Sequence, residues 1–283
     1  ISNKVMSIDT ETNNTLNTFD CKLMGLCLYT PGQKRAYIPV NHVDDKGNKL
    51  NWQVTEEQIS GQLKRCENAF KIFHNAPFDI EVLWTTCGIR LKADWDTQIG
   101  AQMLNENEPK RLKEQYKIHV DAEQESYDIE HLFKGLPYAI FDPELFALYS
   151  ATDAYDTYKL YEYQKKELEK PVNKEVYELF KTVEMPTVDV VVDMEMNGVE
   201  VDLEYAKKLS VFYHKKSDEV QERIDKELER LKPTIDSWRM TSEANTPTTG
   251  KTGKEGKPKN QKLSDPPLLS SPEQESILLY DIL

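Results

Sequence analysis

The sequence predicts an α/β fold, a mixed β-sheet flanked by helices, followed by a long helical arm. Three observations support this fold class. The first part of the chain holds short runs with alternating apolar positions, which are typical of strands. Within that part, a strand-like run followed by a helical pattern indicates a βα crossover. The last part of the chain is helical in pattern and rich in Lys and Glu.

The strand predictions come first along the chain. Residues 4–10, 22–29 and 35–41 are short runs separated by Asn/Thr-rich and Pro-Gly turns. Residues 69–73 are a fourth apolar run of strand type. Because these runs are followed by helical patterns, we expect them to belong to one α/β or mixed-sheet domain.

Helices are predicted on both sides of the fourth strand and after it. Thr55, with Gln58 three residues later, indicates the start of a helix that runs to about Asn68. Pro77 suits the first turn of a helix that ends near Gly88. Further helices are predicted at residues 96–105, 109–117, 128–134 and 143–169.

A change of pattern near Pro171, which ends the long helix, predicts two domains. The first covers residues 1–170 and the second covers residues 171–283. Apolar residues return at 263–283 and the pattern there is incomplete at the last residue, so we expect the natural protein to continue.

The second domain is predicted to be a helical arm. Its first helix is interrupted at Met185-Pro186 and ends at Asn197-Gly198, a typical C-terminal cap. Asp202 then caps a second, Lys- and Glu-rich helix over 203–232. Residues 241–262 are Lys-rich with almost no apolar residues, which predicts a flexible loop. That loop is either a solvated linker or a tip that contacts phosphates.

Composition limits the function classes. The chain has 283 residues and is 39% hydrophobic. Its net charge of -13 argues against a general nucleic-acid-coating protein, which would normally be basic, but not against a nuclease. No apolar run approaches the ~20 residues that span a bilayer. The N-terminus lacks secretory features, so a cytoplasmic location is expected. The four cysteines form no CxxC pair and are expected to be reduced, buried thiols.

Three acidic motifs follow one another at 9–11, 74–79 and 149–153. Asp9 and Glu11 are two apart on a predicted strand, so both carboxylates face the same way. The other two motifs lie on predicted helices with four-residue spacing, which places each pair on one face. These pairs are Asn75 with Asp79 and Tyr149 with Asp153.

This set of side chains is suited to metal-assisted phosphodiester hydrolysis. Hard divalent ions such as Mg²⁺ or Mn²⁺ take oxygen ligands and leave room for water and phosphate. Two such ions, roughly 3.5–4 Å apart, stabilise the attacking and leaving oxygens of an in-line displacement. A tyrosine hydroxyl nearby can orient the attacking water. Each motif alone is weak evidence for this chemistry. The prediction depends on all three motifs occurring in this order, on a predicted strand and two predicted helices.

With these motifs, residues 4–170 resemble the proofreading 3'-5' exonuclease domain of family A DNA polymerases. That domain is a DnaQ-like exonuclease of the subclass with a tyrosine in its last motif, and the resemblance implies a ribonuclease H-like mixed β-sheet flanked by helices. The flanking runs 183–186 and 194–202 look like the entry into the polymerase region of that family. Helix 203–232 then corresponds to the start of the thumb.

The resemblance also implies roles for individual residues. Tyr149 would position the nucleophilic water, and Glu11 would also contact the terminal nucleotide. His74 receives no role beyond that of a polar residue at a strand end, and Phe78 would either line the base slot or pack in the core. Two divalent ions, Mg²⁺ or Mn²⁺, would be held by Asp9, Glu11, Asp79 and Asp153. The substrate-binding residues would be Thr10, Thr12, Leu16, Asn75 and Phe78.

The implied partners are a single-stranded DNA 3' end and primer-template DNA. The polymerase palm and fingers are missing from this chain, and no 5'-nuclease domain precedes Ile1, which would suit a bacteriophage replicase. The expected location is the cytoplasm or nucleoid of a bacterial host, with no membrane association. Three alternatives remain. The chain could be an exoribonuclease of the RNase D type or an inactive module that binds a primer terminus. Separately, residues 171–283 could act as a DNA-gripping arm that supplies most of the affinity.

Overall fold

The chain forms two compact units, Ile1–Gly198 and Val199–Leu283. The predicted helix 128–134 and the loop 241–262 lie outside the described residues. Among the described residues, no helix is long and apolar enough to cross a membrane. The computed structural model describes residues 4–13, 17–123, 138–140, 142–240, 267 and 269–282.

The first unit is built on a five-stranded mixed sheet, which confirms the prediction of a mixed sheet. Its strands are β1 (Val5–Thr12), β2 (Leu23–Tyr29), β3 (Ala36–Pro39), β4 (Phe70–Phe73) and β5 (Trp95–Asp96). The spatial order is β3-β2-β1-β4-β5, with β1 antiparallel to β2 and parallel to β4. The four predicted strands are confirmed, and the two-residue β5 is too short to give a periodic signal.

Seven helices of the described part of the first unit surround this sheet. Thr55 caps the first of them through the predicted capping box with Gln58. The helix predicted from residue 96 begins at Thr97, because Asp96 ends β5 and accepts a hydrogen bond from the Gln98 amide. The helices are α1 (Glu56–Arg65), α2 (Ala76–Cys87), α3 (Thr97–Leu104), α4 (Leu112–His119), α5 (Pro143–Leu168), α6 (Lys174–Leu179) and α7 (Met185–Asn197).

The helices after residue 170 pack into the first unit. A π-helical turn, Phe180–Glu184, joins α6 to α7 and ends directly before Met185-Pro186, where an interruption was predicted. Phe180 and Val192 are buried in the same core as the sheet. The first compact unit therefore extends through Gly198, whereas a functional boundary near residue 170 stays a prediction.

The second unit contains the long helix α8 (Leu203–Arg239) and a short helix α9 (Pro272–Ser276). Asp202 caps α8 as predicted, by accepting a hydrogen bond from the Tyr205 amide at 2.9 Å. The predicted end at residue 232 is wrong, because the helix continues through Pro233. Proline normally disrupts a helix interior. Here Ile235, buried against Ile277 and Leu278, holds the last turns in place.

Candidate active site

Asp9 and Glu11 lie on the face of β1 that looks toward α5. The position two residues before Asp9 fixes this direction, because Ser7 Oγ donates a hydrogen bond of 2.5 Å to the carbonyl of Ala154 on α5. Side chains alternate along a strand, so Ser7, Asp9 and Glu11 share that face. The predicted alignment of the two carboxylates is therefore confirmed. Their oxygens lie within 4.8 Å of one another and of the Cys27 sulfur on β2.

Asp79 reaches β1 from the first turn of α2. It is 3% exposed, and its Oδ1 accepts hydrogen bonds from the amide of Thr10 at 2.9 Å and from Thr10 Oγ1 at 2.5 Å. Thr10 lies between Asp9 and Glu11 in the sequence, so these bonds bring the second acidic motif to the first. Thr10 itself is buried, as is Thr12 at the end of β1.

Asn75 does not share a helix face with Asp79, contrary to the prediction. It precedes α2 in a left-handed conformation, with φ of 70°, and its side chain is exposed. Asparagine is one of the few residues that tolerate this conformation. The Asp96 carboxylate accepts hydrogen bonds from the amides of Asn75, at 3.1 Å, and Ala76, at 2.7 Å. These bonds replace the side-chain cap that Asn75 does not provide.

The third motif lies on α5, as predicted. Asp153 forms an ion pair with Lys113 of α4, whose ammonium group also lies 3.8 Å from Asp156. Asp153 directly precedes Ala154, whose carbonyl accepts the hydrogen bond from Ser7. Tyr149 belongs to the same helix, but its side chain lies outside the described residues.

The electrostatics of the cluster show an excess of negative charge. Burial raises the pKa of Asp9 to about 6, and the Lys113 charge opposes this shift. Burial raises the pKa of Glu11 well above its usual value, and the charges of Asp9 and Asp79 raise it further. The pKa of Asp79 is raised in the same way, by burial and by Asp9. Bound cations would reverse these shifts, so this oxygen-rich set fits divalent metal ions.

Two residues of the cluster were not identified from the sequence. Lys113 belongs to no acidic motif, and only the packing of α4 against α5 brings it to Asp153. Cys27 is fully buried opposite Asp9 in the β1–β2 register. Pairing of the first two predicted strands would have indicated the position of Cys27, but the register was not predicted.

The other predicted residues have simpler surroundings. Phe78 is partly buried against the hydrophobic core, which favours its packing role over a base slot. Leu16 lies outside the described residues. His74 follows β4 directly, as predicted for a strand-end polar residue, and its Nδ1 is 2.9 Å from Thr97 Oγ1. Burial lowers the pKa of His74 to about 4.

Residues 2–169 match a family model of the DNA polymerase A type, described as 3'-5' exonuclease. The chain is 29% identical over 223 residues to DNA polymerase I of Chloroflexus aurantiacus, covering 77% of this chain and 23% of the relative. It is 29% identical over 218 residues to DNA polymerase I of Borreliella burgdorferi, covering 72% of this chain and 22% of the relative. The chain thus spans less than a quarter of these relatives.

Solved structures share the fold at low sequence identity. The POL domain of Pol1 from M. smegmatis, in complex with DNA primer-template and dNTP, has a TM-score of 0.54 and 15% identity. That match covers 90% of this chain and 40% of the other chain. NrnC of Brucella melitensis has a TM-score of 0.51 and 19% identity, covering 71% of this chain and 90% of the other.

Proposed function

From the premise that the chain belongs to the 3'-5' exonuclease family of DNA polymerase A, we propose that it hydrolyses DNA from the 3' end to 5'-mononucleotides. Its role is that of the proofreading part of a family A DNA polymerase in DNA replication. The observation that carries this proposal is the contact between the first two acidic motifs, to which Lys113 links the third. Asp9 and Glu11 adjoin Asp79 through Thr10, and Lys113 connects them electrostatically to Asp153.

Two divalent ions, Mg²⁺ or Mn²⁺, are the cofactors that this cluster suits. Asp9, Glu11, Asp79 and Asp153 would hold them. When bound, such ions acidify water and stabilise negative charge on the phosphate. Without such ions, burial and then the charges of neighbouring carboxylates raise the pKa of Glu11 and Asp79.

The remaining residues of the cluster would position groups. Lys113 would hold Asp153 in place and balance part of the negative charge. Tyr149, four residues before Asp153 on α5, would orient the attacking water. The substrate 3' end would be contacted by the backbone of Thr10 and Thr12 and by Asn75, whose side chain is exposed.

The partners follow from the same premise. The substrate would be a single-stranded 3' end, delivered from primer-template DNA by the palm and fingers of the larger polymerase. The curated relatives are bacterial DNA polymerases, so we propose that the protein acts in the cytoplasm or nucleoid of a bacterial cell.

The test is hydrolysis of a 5'-labelled single-stranded DNA oligonucleotide, with Mg²⁺ or Mn²⁺ and then with EDTA, beside RNA of the same sequence. We expect a ladder of products shortened from the 3' end, abolished by EDTA. The Asp9→Ala, Glu11→Ala double variant should be inactive while remaining folded. A matched control is Asp45→Ala, Glu106→Ala, which removes two exposed carboxylates elsewhere.

Each other outcome contradicts a defined part of the proposal. RNA cleavage equal to or faster than DNA cleavage would favour the exoribonuclease. Cleavage by the folded double variant would reject Asp9 and Glu11 as catalytic residues. Absence of any cleavage by the folded wild-type protein would favour a module that only binds the primer terminus.

A further inference from the structure

The first half of α8 carries an apolar stripe that the described part of the chain leaves exposed. Every residue from Leu203 to Arg223 is exposed. Among them, the side chains of Leu209, Tyr213 and Val220 are 37%, 61% and 47% exposed. A helix with an apolar face normally obtains most of its stability by packing that face against another element. The stripe is therefore a candidate interaction surface.

This stripe continues a surface that is already packed in the second half of α8. Its positions are separated by three, four and four residues in turn, an 11-residue repeat that a nearly straight helix presents on one face. The same spacing continues to Ile235, which packs against Ile277 and Leu278. A groove of about 460 Å³, lined by both Val220 and Leu278, joins the two halves. In the first half, the stripe consists of Ala206, Leu209, Tyr213, Ser217, Val220 and Ile224.

The first half of the stripe is symmetric about Lys215. Ala206 and Ile224 lie at equal distances from this centre along the sequence, and so do Tyr213 and Ser217. An antiparallel copy centred at the same level would place the apolar positions opposite one another and the small Ser217 opposite the large Tyr213. A two-fold contact uses the same surface on both subunits, so it requires a self-complementary pattern of this kind.

The charges along α8 favour the same antiparallel direction. Residues 203–215 carry three lysines and one glutamate, whereas residues 217–229 carry six acidic and two basic side chains. Parallel copies would place like charges side by side, and antiparallel copies place the basic half beside the acidic half. Lys207 and Lys208 then lie at the level of Asp225 and Glu222. Such pairs at the rim of a contact determine its direction more than its affinity.

We propose that the first half of α8 binds a second copy of this chain, in an antiparallel and two-fold symmetric contact. Each copy then covers Leu209, Tyr213 and Val220 of the other. The surface belongs to the second unit, so the proposal requires none of the carboxylates of the candidate active site.

Sedimentation equilibrium of the whole chain over a wide range of concentrations tests for the dimer. We expect the mass to rise from that of one chain, 32.8 kDa, towards twice that value. Val220→Glu should weaken the dimer on the order of a hundredfold, because a carboxylate of each copy would enter the apolar contact. The matched control is Val211→Glu, at a 71% exposed valine on the opposite face of α8, which should dimerise like the wild type. Circular dichroism verifies that both variants keep their helical content.

Charge reversal tests the direction of the contact. One variant chain carries Lys207→Glu and Lys208→Glu, and the other carries Glu222→Lys and Asp225→Lys. Each should weaken its own dimer about tenfold at low salt, because like charges now lie side by side. An equal mixture of the two should dimerise as tightly as the wild type, because opposite charges again lie at the same level.

Three results would overturn the proposal. The first is a wild-type chain that stays monomeric at every concentration. If Val220→Glu then weakens the binding of a single-stranded DNA oligonucleotide and Val211→Glu does not, the stripe is a nucleic-acid surface instead. The second is a dimer that Val220→Glu leaves intact, and the third is a mixture of the charge-reversed chains that fails to recover.

Discussion

Asp79 Oδ1 accepts two hydrogen bonds from one residue, Thr10, through its amide at 2.9 Å and its hydroxyl at 2.5 Å. The bond pair attaches the start of α2 to the strand that carries Asp9 and Glu11. Both bonds are buried. Hydrogen bonds to a charged acceptor contribute about 1.5–3 kcal/mol, more than bonds to a neutral one.

Thr10→Val keeps the side-chain shape and the amide but removes the hydroxyl donor. We expect it to lower the free energy of unfolding by about 1.5–3 kcal/mol in Mg²⁺ and by less in EDTA. The reason is that burial and the Asp9 charge raise the pKa of Asp79, and bound cations would lower it again, so the carboxyl carries more negative charge in Mg²⁺. Urea unfolding in both buffers measures the difference, with Thr10→Ser as control. An equal loss in both buffers would contradict this account.

Lys113→Met removes the cation that pairs with Asp153 and Asp156. Asp156 is fully buried, and loss of one partner of a buried ion pair typically costs about 3–5 kcal/mol. We expect the free energy of unfolding to fall by about 3 kcal/mol in EDTA, because Lys113 is partly exposed. The fall should be smaller in Mg²⁺. Denaturant unfolding of the variant is compared with that of Lys117→Met, an exposed lysine on the same helix. Equal stability of the two variants would rule out this role.

Gly25→Ala tests the strand position opposite Glu11. A Cβ there would overlap the Tyr37 ring, so the ring must move. Overpacking of this kind typically lowers the free energy of unfolding by about 1–3 kcal/mol, and we expect a loss of that size in thermal unfolding. We also expect reduced DNA cleavage. Gly61→Ala is the control, since nothing lies within 4 Å of its Cβ and it should be neutral or stabilising. Adding Tyr37→Leu to Gly25→Ala should restore part of the stability.

Glu81→Gln should change how stability depends on pH. Burial, and then the neighbouring Glu195 side chain, raise the pKa of Glu81 to about 7. Between pH 4.5 and 7 the folded chain therefore binds more protons at Glu81 than the unfolded chain, and the free energy of unfolding falls as pH rises.

With Gln at position 81 that fall should disappear. The variant should be more stable than wild type at pH 8, on the order of 1–2 kcal/mol after solvent screening, and equal to it near pH 4.5. Denaturant unfolding in EDTA across this range measures the effect. Glu67→Gln, at an exposed glutamate, provides the comparison. Parallel pH profiles for Glu81→Gln and wild type would show that Glu81 titrates normally.

The sequence predicted the sheet and the acidic motifs because both depend on local patterns. Alternation along β1 is enough to align Asp9 with Glu11, and Thr55 with Gln58 is enough to begin α1. The failures share a different cause. The left-handed Asn75 and the helical Pro233 are held by partners distant in sequence, Asp96 and the Ile277 region.

The same dependence on distant partners explains why two residues of the candidate active site were not predicted. Lys113 and Cys27 carry no motif, and each reaches the carboxylates only through packing between elements. A register between the first two strands would have identified Cys27. No local pattern distinguishes Lys113 from the exposed Lys117 beside it on α4.

The hydrogen bond from Ser7 to the carbonyl of Ala154 joins positions 147 residues apart. Contacts of such long range form slowly, after local structure. During translation, β1 leaves the ribosome more than a hundred residues before α5. A nascent chain therefore carries Asp9 and Glu11 before Asp153, and the proposed nuclease site is complete only when α5 has emerged and docked.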